Sequence, residues 1–207
     1  MARKGKQGTA RRTTPTDPVD VALELAAERD WQQVSLRDVA ARAGIGFAEF
    51  YRRFPSKTAL VAAFMARIDD AVLAADFSEL AESSPRDRLF DVIMRRFDAL
   101  APHKAAVRSI ARSAPRDLGF GLELACGPFS RSLAAMLAAA DLTAEGPRGW
   151  LRRHGLGLIY LDVVRRWLED DTPDFASTMA ELDKRLRQAE QFLRMLPGRR
   201  AAPRGTP

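Results

Sequence analysis

Apolar residues recur at spacings of three and four along most of the chain, which is the period of an amphipathic helix. No segment alternates apolar and polar residues at period two, so no strand is predicted. Twelve prolines divide the sequence, and the segments between them are rich in Ala, Leu, Arg and Glu, which favour helices. The pattern therefore predicts an all-α fold of about nine to ten helices.

Capping residues predict four helices near the N-terminus. Asp17 followed by proline begins the first helix, and Ser35 with Asp38 three residues later forms a capping box for the second. Gly44 closes the second helix, because glycine readily takes a left-handed conformation. A third helix is expected over 47–53, and a fourth, capped by Ser56, over about 57–75.

The second and third helices form a predicted helix-turn-helix, and with the first they make a three-helix head. Ala40 is small enough for the two helices to cross closely, and Ile45 fills the gap between them. The Tyr51 hydroxyl can reach a phosphate, and Lys57 lies at a helix N-terminus, which also attracts phosphate. Residues 35–60 hold five basic and two acidic side chains, a local excess that suits a polyanion.

The run from Ser35 to Leu60 resembles the DNA-binding head of the tetracycline-repressor (TetR) family of bacterial transcription regulators. The matching residues are Ala40, Gly44, Ile45, Tyr51, Phe54, Lys57 and Leu60. The resemblance implies a homodimer that places two recognition helices on double-stranded DNA about one turn apart, and a ligand-binding and dimerisation body behind the head. The DNA-contacting residues that it indicates are Arg11, Arg12, Ser35, Arg37, Gly46, Phe47, Ala48, Glu49, Tyr51, Arg52 and Lys57.

Two residues of the third helix depart from this family pattern. Gly46 and Glu49 stand where many members carry Ser or Thr. The Glu49 carboxylate can accept from the N4 amino group of cytosine, but it repels a phosphate. Phe47 can touch a thymine methyl group or serve another purpose as an exposed aromatic.

The charge is concentrated at the two ends of the chain. The whole chain has a formal net charge of +6 and a pI near 10.1. Five of the 33 basic residues lie in 1–14 and three in 197–207, which leaves 25 basic against 27 acidic residues between them. The predicted organisation is a basic flexible arm (1–14), a DNA-binding domain (15–62), a ligand-binding and dimerisation domain (63–196) and a disordered tail (197–207).

Several classes of function are excluded by composition. The single cysteine, Cys126, excludes an internal disulfide and a cysteine zinc cluster, and it is expected to be buried. With only His103 and His154, neither a histidine metal site nor a catalytic triad is expected, and no cofactor is predicted. No secretion signal or integral membrane segment is apparent, which favours a cytoplasmic location.

The C-terminal region has a second resemblance. The stretch from Trp150 to Trp167, the acidic segment 168–175 and the run from Thr178 are similar to the closing region of the ubiquinone-biosynthesis accessory lipid-binding family. That family has a TetR-like scaffold and binds isoprenoid-type lipids. The resemblance implies an apolar ligand or lipid as a partner and a last helix used at a membrane surface.

The last two helices carry apolar faces that need a partner. One is expected over about 148–170, and the other begins at Thr172 and Pro173, with apolar residues alternating at spacings of four and three from Phe175 to Leu196. Packing within the chain, a bundle across a dimer and a membrane surface are the alternatives. The candidate dimer residues are Gly157, Leu161, Val164, Leu168, Leu182, Leu186 and Leu193.

The segments between the head and these helices supply an apolar interior. It can be a plain core or can line a pocket for an apolar ligand. The candidate pocket residues are Phe97, Phe120, Phe129, Met136, Trp150 and Tyr160. The leading hypothesis is a repressor that such a ligand releases from its operator; the alternative is a lipid-binding accessory protein with the same scaffold and little or no DNA binding.

Overall fold

Helices account for all the regular structure of the residues that the computed structural model describes, 16–76 and 82–195, and no strand occurs among them. The helices are α1 (Pro18–Glu28), α2 (Leu36–Ala43), α3 (Phe47–Arg53), α4 (Lys57–Leu73), α5 (Pro85–Leu100), α6 (Lys104–Ser113), α7 (Leu118–Leu124), α8 (Ser130–Ala139), α9 (Gly146–Glu169) and α10 (Ala176–Met195). A 3₁₀ turn joins α5 to α6, and a π turn that contains Pro128 joins α7 to α8. Counted as uninterrupted stretches, the described residues hold eight helices, slightly fewer than expected.

The caps of the head confirm the predicted helix starts. The Asp17 carboxylate accepts from the Val19 amide at 2.9 Å, with Pro18 in the first helical turn. The Ser35 hydroxyl accepts from the Asp38 amide at 3.1 Å, and Asp38 accepts from the Ser35 amide at 3.0 Å, which completes the capping box. Ser56 caps α4 by accepting from the Ala59 amide.

Helix α4 connects the head to the body. Three residues separate it from α3, and it runs to Leu73, so the predicted domain boundary at 62–63 falls inside a continuous helix. Its inner face, which includes Leu60, Phe64 and Ile68, is buried along its length. Because α4 packs on α1 as well as on α5, α7 and α8, the head and the body share it.

The helices α9 and α10 form an antiparallel hairpin at the end of the chain. Arg185 of α10 pairs with Asp162 of α9 at 2.7 Å, and Leu182 and Leu186 are buried between α10 and the rest of the body. The predicted start of α10 is wrong: the helix begins at Ala176, because the Thr172 hydroxyl accepts from the Ala176 amide across an intervening turn.

The structure tests the predictions about Cys126 and about membrane-spanning segments. Cys126 is exposed on the π turn and not buried, because the side chain that this turn directs inward is that of Pro128. None of the helices in 16–76 and 82–195 is both long enough and apolar enough to cross a membrane.

Candidate nucleic-acid interface and ligand-binding body

The turn between α2 and α3 has the geometry that the sequence predicts. Gly44 has φ 70°, a left-handed conformation that costs glycine little. The Ile45 amide donates to the Ala40 carbonyl at 3.0 Å, which closes the end of α2 and directs the chain into α3. The capping box and this turn together fix the angle at which α3 leaves α2.

Two phenylalanines hold α3 against the head. Phe50 is fully buried and Phe54 nearly so, with their ring centroids 5.6 Å apart. Their spacing of four places both rings on the same side of the helix. The opposite side therefore carries Ala48, Glu49 and Arg52, all of which are exposed.

A half-buried ring, that of Phe47, contacts two exposed side chains along one edge of α3. The Arg37 guanidinium, from α2, lies 4.3 Å from the centroid of the Phe47 ring, and Phe47 and Tyr51 have ring centroids 5.8 Å apart. Arg37 is thereby held over an aromatic face while its N–H groups stay accessible. Phe47 thus has a structural use in addition to any contact with a base.

The two unusual residues of α3 are both exposed. The Glu49 carboxylate makes no ion pair with the residues in the described ranges, and it lies in the first turn of α3, where a negative charge stabilises the helix. Gly46 caps α3 without a side-chain hydrogen bond, and a Cβ added there would meet nothing within 4 Å. Steric packing in the monomer therefore does not account for glycine at this position.

Two predicted DNA-contacting side chains are engaged elsewhere in the head. The Lys57 ammonium donates to the Trp31 carbonyl and lies 4.9 Å from the centroid of the Trp31 ring, and burial lowers its pKa. The Ser35 hydroxyl is occupied as the α2 cap. Arg11 and Arg12 lie outside the described residues.

Side chains of α6 and α7 hold the head against the body. The Ser109 hydroxyl accepts from the Trp31 amide at 2.9 Å and donates to the Arg29 carbonyl at 3.2 Å. Thr58, in the first turn of α4, donates to Glu123 of α7 at 2.7 Å. Nothing in the local pattern around Ser109 indicates this role, because its partners are about 80 residues away.

The candidate pocket residues divide into two groups. Phe97, Tyr160 and Phe129 meet in the body, with the Phe97 and Tyr160 rings stacked at 5.6 Å. Trp167, which was not among the candidates, stacks on Phe97 at 5.4 Å and is fully buried. Phe120 and Met136 are also buried in the apolar interior.

Trp150 does not join this aromatic cluster. It is 55% exposed and its ring centroid lies 4.1 Å from that of His154, because it lies on a different side of α9 from the buried Gly149 and Leu156. A groove of about 500 Å³ lies nearby, along the first turn of α9, lined by residues that include Glu145, Arg148 and Arg152. The structure thus places Trp150 at the surface, away from the other pocket candidates.

A polar cluster lies beside the aromatic rings. Arg96 of α5 is almost completely buried and pairs with Asp69 of α4. The adjacent acids Asp69 and Asp70 are predicted from their sequence position to be solvated, and Asp69 departs from this expectation because it faces the buried guanidinium. The cluster could not be predicted from local sequence, because helices that are distant along the chain form it.

The candidate dimer residues divide into those that are at least partly exposed and those that lie inside the protomer. Leu161 and Leu193 are exposed, and Val164 and Leu168 are half-buried. The remaining three lie inside the protomer: they are Gly157, Leu182 and Leu186. Leu158, which was not among the candidates, is 73% exposed on the same side of α9 as Leu161.

Gly157 has an intramolecular reason for being glycine. A Cβ at this position would approach a Leu133 side-chain carbon of α8 to 3.1 Å. The close helix approach expected from a glycine inside α9 is therefore made with α8 of the same chain.

Comparisons with known proteins agree with both resemblances. Residues 19–64 match the family model of bacterial regulatory proteins of the tetR family, and residues 130–193 match the COQ9 model. None of the curated proteins matches the chain.

Solved structures of TetR transcriptional regulators share the fold. A regulator from Nitrosomonas europaea is 27% identical with a TM-score of 0.67, and the match covers 84% of this chain and 96% of that one. A regulator from Rhodococcus is 24% identical with a TM-score of 0.60, with 83% and 92% covered. The chain therefore has the all-α architecture of TetR-type regulators along most of its length.

Proposed function

We propose that this chain is a sequence-specific DNA-binding transcriptional regulator of the TetR type that acts as a homodimer. The observation that carries the proposal is the exposed face of α3 on a helix-turn-helix that matches the tetR family model over residues 19–64. The similarity to the Nitrosomonas europaea regulator, which extends over most of both chains, supports the same function.

The proposed DNA interface has two parts. Ala48, Glu49 and Arg52 face outward from α3 and read base edges in the major groove, where a guanidinium suits guanine and a carboxylate suits the cytosine amino group. Arg37 and Tyr51, which both contact the Phe47 ring, contact the phosphate backbone beside the groove. The basic arm, through Arg11 and Arg12, follows the duplex outside this region.

The regulator is proposed to act as a repressor that an apolar ligand releases. The aromatic cluster of the body is the proposed ligand site, and α4 is the direct link from it to α3. A ligand that favours a different position of α4 would change the separation of the two recognition helices. The dimer would then fit two successive major grooves less well.

Selection of DNA fragments by the purified full-length protein tests this function. We expect an enriched palindromic sequence with half-sites about one helical turn apart, and retardation of that fragment that weakens steeply with salt. Enrichment of no sequence over random DNA would contradict the proposal.

Glu49→Gln is expected to change the base preference of the protein. Glutamine pairs with adenine through N6 and N7, whereas the carboxylate accepts from cytosine, so one position of each half-site should change from cytosine to adenine. The preference at that position should shift by roughly 5- to 100-fold, and affinity for random DNA should rise several-fold because a phosphate-repelling charge is lost. Parallel selections with the two proteins measure both changes.

Glu145→Gln is the matched control for this variant. Glu145 is also an exposed glutamate at a helix N-terminus, but it precedes α9 in the body. It should leave the selected sequence unchanged. The same consensus from Glu49→Gln as from the unaltered protein would refute the assignment of Glu49 to base reading.

A second function is supported by the COQ9 match over residues 130–193, which include α8, α9 and most of α10. We propose as the alternative that the chain is a lipid-binding accessory protein of quinone-type lipid metabolism. Native mass spectrometry of the purified protein separates the two functions. A co-purified isoprenoid lipid without sequence-selective DNA binding supports the alternative. Enrichment of an operator by a protein that carries no lipid counts against it.

A further inference from the structure

A charged cluster lies at the centre of the body, where four helices meet. The Arg96 guanidinium of α5 pairs with Asp69 of α4, donates to the Tyr160 hydroxyl of α9 at 3.0 Å and donates to the Ser132 hydroxyl of α8 at 3.3 Å. Ser132 in turn donates to the second oxygen of Asp69 at 2.6 Å. The Arg96 side chain is 2% exposed, so its charge is balanced inside the protein and not by water.

Stability alone does not account for such a cluster. Removing a charged pair from water costs so much that well-packed apolar residues of similar volume often stabilise a protein equally well or better. Burial by itself lowers the pKa of Arg96, but the neighbouring Tyr160 and Asp69 outweigh burial and raise it, so the guanidinium stays charged. The body therefore maintains a permanent cation among aromatic rings.

The surroundings of this cation suit an apolar ligand. Tyr160 stacks on Phe97, and Phe97 stacks in turn on Trp167. The Trp167 indole N–H is fully buried and has no hydrogen-bond partner among the described residues. A buried donor without an acceptor is unfavourable, and a ligand that brings an acceptor into this neighbourhood would relieve it.

We infer that Arg96 anchors an apolar ligand that carries a carboxylate, and that this carboxylate replaces Asp69 on the guanidinium. A carboxylate is the matching chemistry because the guanidinium fork binds it through two parallel hydrogen bonds. A neutral ligand that displaced Asp69 would leave the charge of Arg96 unbalanced. Asp69 can leave because its side chain is 13% exposed, which gives it access to water that Arg96 lacks.

The exchange has a direct consequence for α4. Asp69 ties α4 to α5 through Arg96 and to α8 through Ser132, and its release removes both ties. Because only three residues separate α3 from α4, freedom of α4 in the body reaches the recognition helix through a short connection. This consequence rests on the proposed regulator function, whereas the binding of a carboxylate at Arg96 does not.

Calorimetric titration with decanoate and with decanamide tests the binding step. These probes have the same chain, and only decanoate is charged. We expect the unaltered protein to bind decanoate at least tenfold more tightly than decanamide. Arg96→Met should abolish that difference, and Arg96→Lys should restore part of it. Arg95→Met, on the exposed side of the same helix, is the matched control and should keep the full difference.

Asp69→Asn separates a ligand anchor from a purely structural ion pair. The amide keeps the shape of the side chain but no longer competes for Arg96, so decanoate should bind about tenfold more tightly than to the unaltered protein. Absence of decanoate binding, equal binding of the two probes, or unchanged decanoate affinity in Asp69→Asn would each overturn the inference. The outcome for Asp69→Asn decides the matter even where Arg96→Met does not fold.

The effect on DNA is measured separately with the selected operator fragment. Decanoate should weaken retardation by the unaltered protein and leave retardation by a folded Arg96 variant unchanged. If decanoate binds in an Arg96-dependent way but does not change DNA retardation, the ligand site is supported and the release of DNA by the ligand is refuted. Failure to find any operator would refute the regulator function and leave the ligand site intact.

Discussion

Asp170→Ala is expected to lower the free energy of unfolding by about 3 kcal/mol at neutral pH, a large part of the total for a domain of this size. The Asp170 carboxylate is buried at the corner between α9 and α10. One oxygen accepts from the Thr178 amide at 2.9 Å and the Thr178 hydroxyl at 2.8 Å, and the other accepts from Thr172. Because Thr178 is itself fully buried, alanine at 170 leaves its donors without an acceptor.

The same corner holds a residue in an unfavourable backbone conformation. Phe175 has φ 52°, a left-handed conformation that is rare for a bulky side chain. Its ring packs against Trp167 at 6.4 Å between centroids. The hydrogen bonds of Asp170 help to hold this turn, so its loss should also loosen the start of α10.

Urea unfolding measures the change, with Asp171→Ala as the matched control. Asp171 is the neighbouring acid, but its side chain is 88% exposed and lies 3.5 Å from Lys104. Its replacement should change the free energy of unfolding by less than about 0.5 kcal/mol. Similar values for the two alanine variants would show that the corner does not depend on the Asp170 carboxylate.

The stabilisation by Asp170 should depend on pH. Burial raises the pKa of this carboxyl, but the hydrogen bonds from Ser177, Thr172 and Thr178 outweigh burial and hold the pKa well below its usual range. A lowered pKa in the folded state means that the stabilisation is present above the unfolded pKa of about 3.9 and is lost as the pH falls further. The difference between the unaltered protein and Asp170→Ala should therefore be constant from pH 7 to about 5 and shrink below about 4.

Local features of the fold could be predicted from the sequence, because their causes lie within a few residues. The Ser35 and Asp38 capping box, the left-handed Gly44 and the start of α4 each depend on side chains at most four positions away. Thr172 and Pro173 form a favourable cap pair and predict a helix start there, but α10 begins at Ala176. The Thr172 hydroxyl donates to Asp170 in the preceding corner and accepts from the Ala176 amide, so the helix begins at Ala176.

Contacts between distant helices could not be predicted in the same way. Glycine at position 157 lowers helix propensity and so indicates a close approach of another helix or a ligand, but only the packing shows that Leu133 of the same chain makes it. Asp69 and Arg96 are 27 residues apart and Tyr160 is a further 64, so no local pattern links them. The body's aromatic cluster can be predicted in part, but the sequence does not show which of the adjacent residues Trp167 and Leu168 faces the interior.

Helix α9 carries an exposed apolar face that the protomer leaves uncovered among the described residues. Leu158 and Leu161 are 73% and 52% exposed and lie three positions apart, on one side of the helix. Isolated exposed leucines are ordinary, but Trp150 and Leu151 extend this face and Leu193 of α10 adds a further exposed apolar side chain to the hairpin. Such a face suits the same face of a second copy, as the proposed homodimer requires.

The double variant Leu158→Arg and Leu161→Arg should therefore dissociate the homodimer. In a two-fold symmetric interface each substitution occurs twice, so four guanidinium groups would be brought together without counter-ions. We expect the dimer dissociation constant, measured by sedimentation equilibrium, to rise at least about 100-fold. Operator affinity should fall by about 10²- to 10⁴-fold, because each recognition helix then binds its half-site without the other.

Leu73→Arg is the matched control for this variant. Leu73 is also exposed, at 49%, but it lies at the end of α4 and outside the α9 face. It should leave both the dimer and operator binding unchanged. The substitutions in the Leu158→Arg and Leu161→Arg double variant are at the surface of the protomer. We therefore expect the dissociated protomer to keep its helical content and to unfold cooperatively, so that loss of DNA binding cannot be ascribed to unfolding. A double variant that remains dimeric would place the contact between protomers elsewhere on the body.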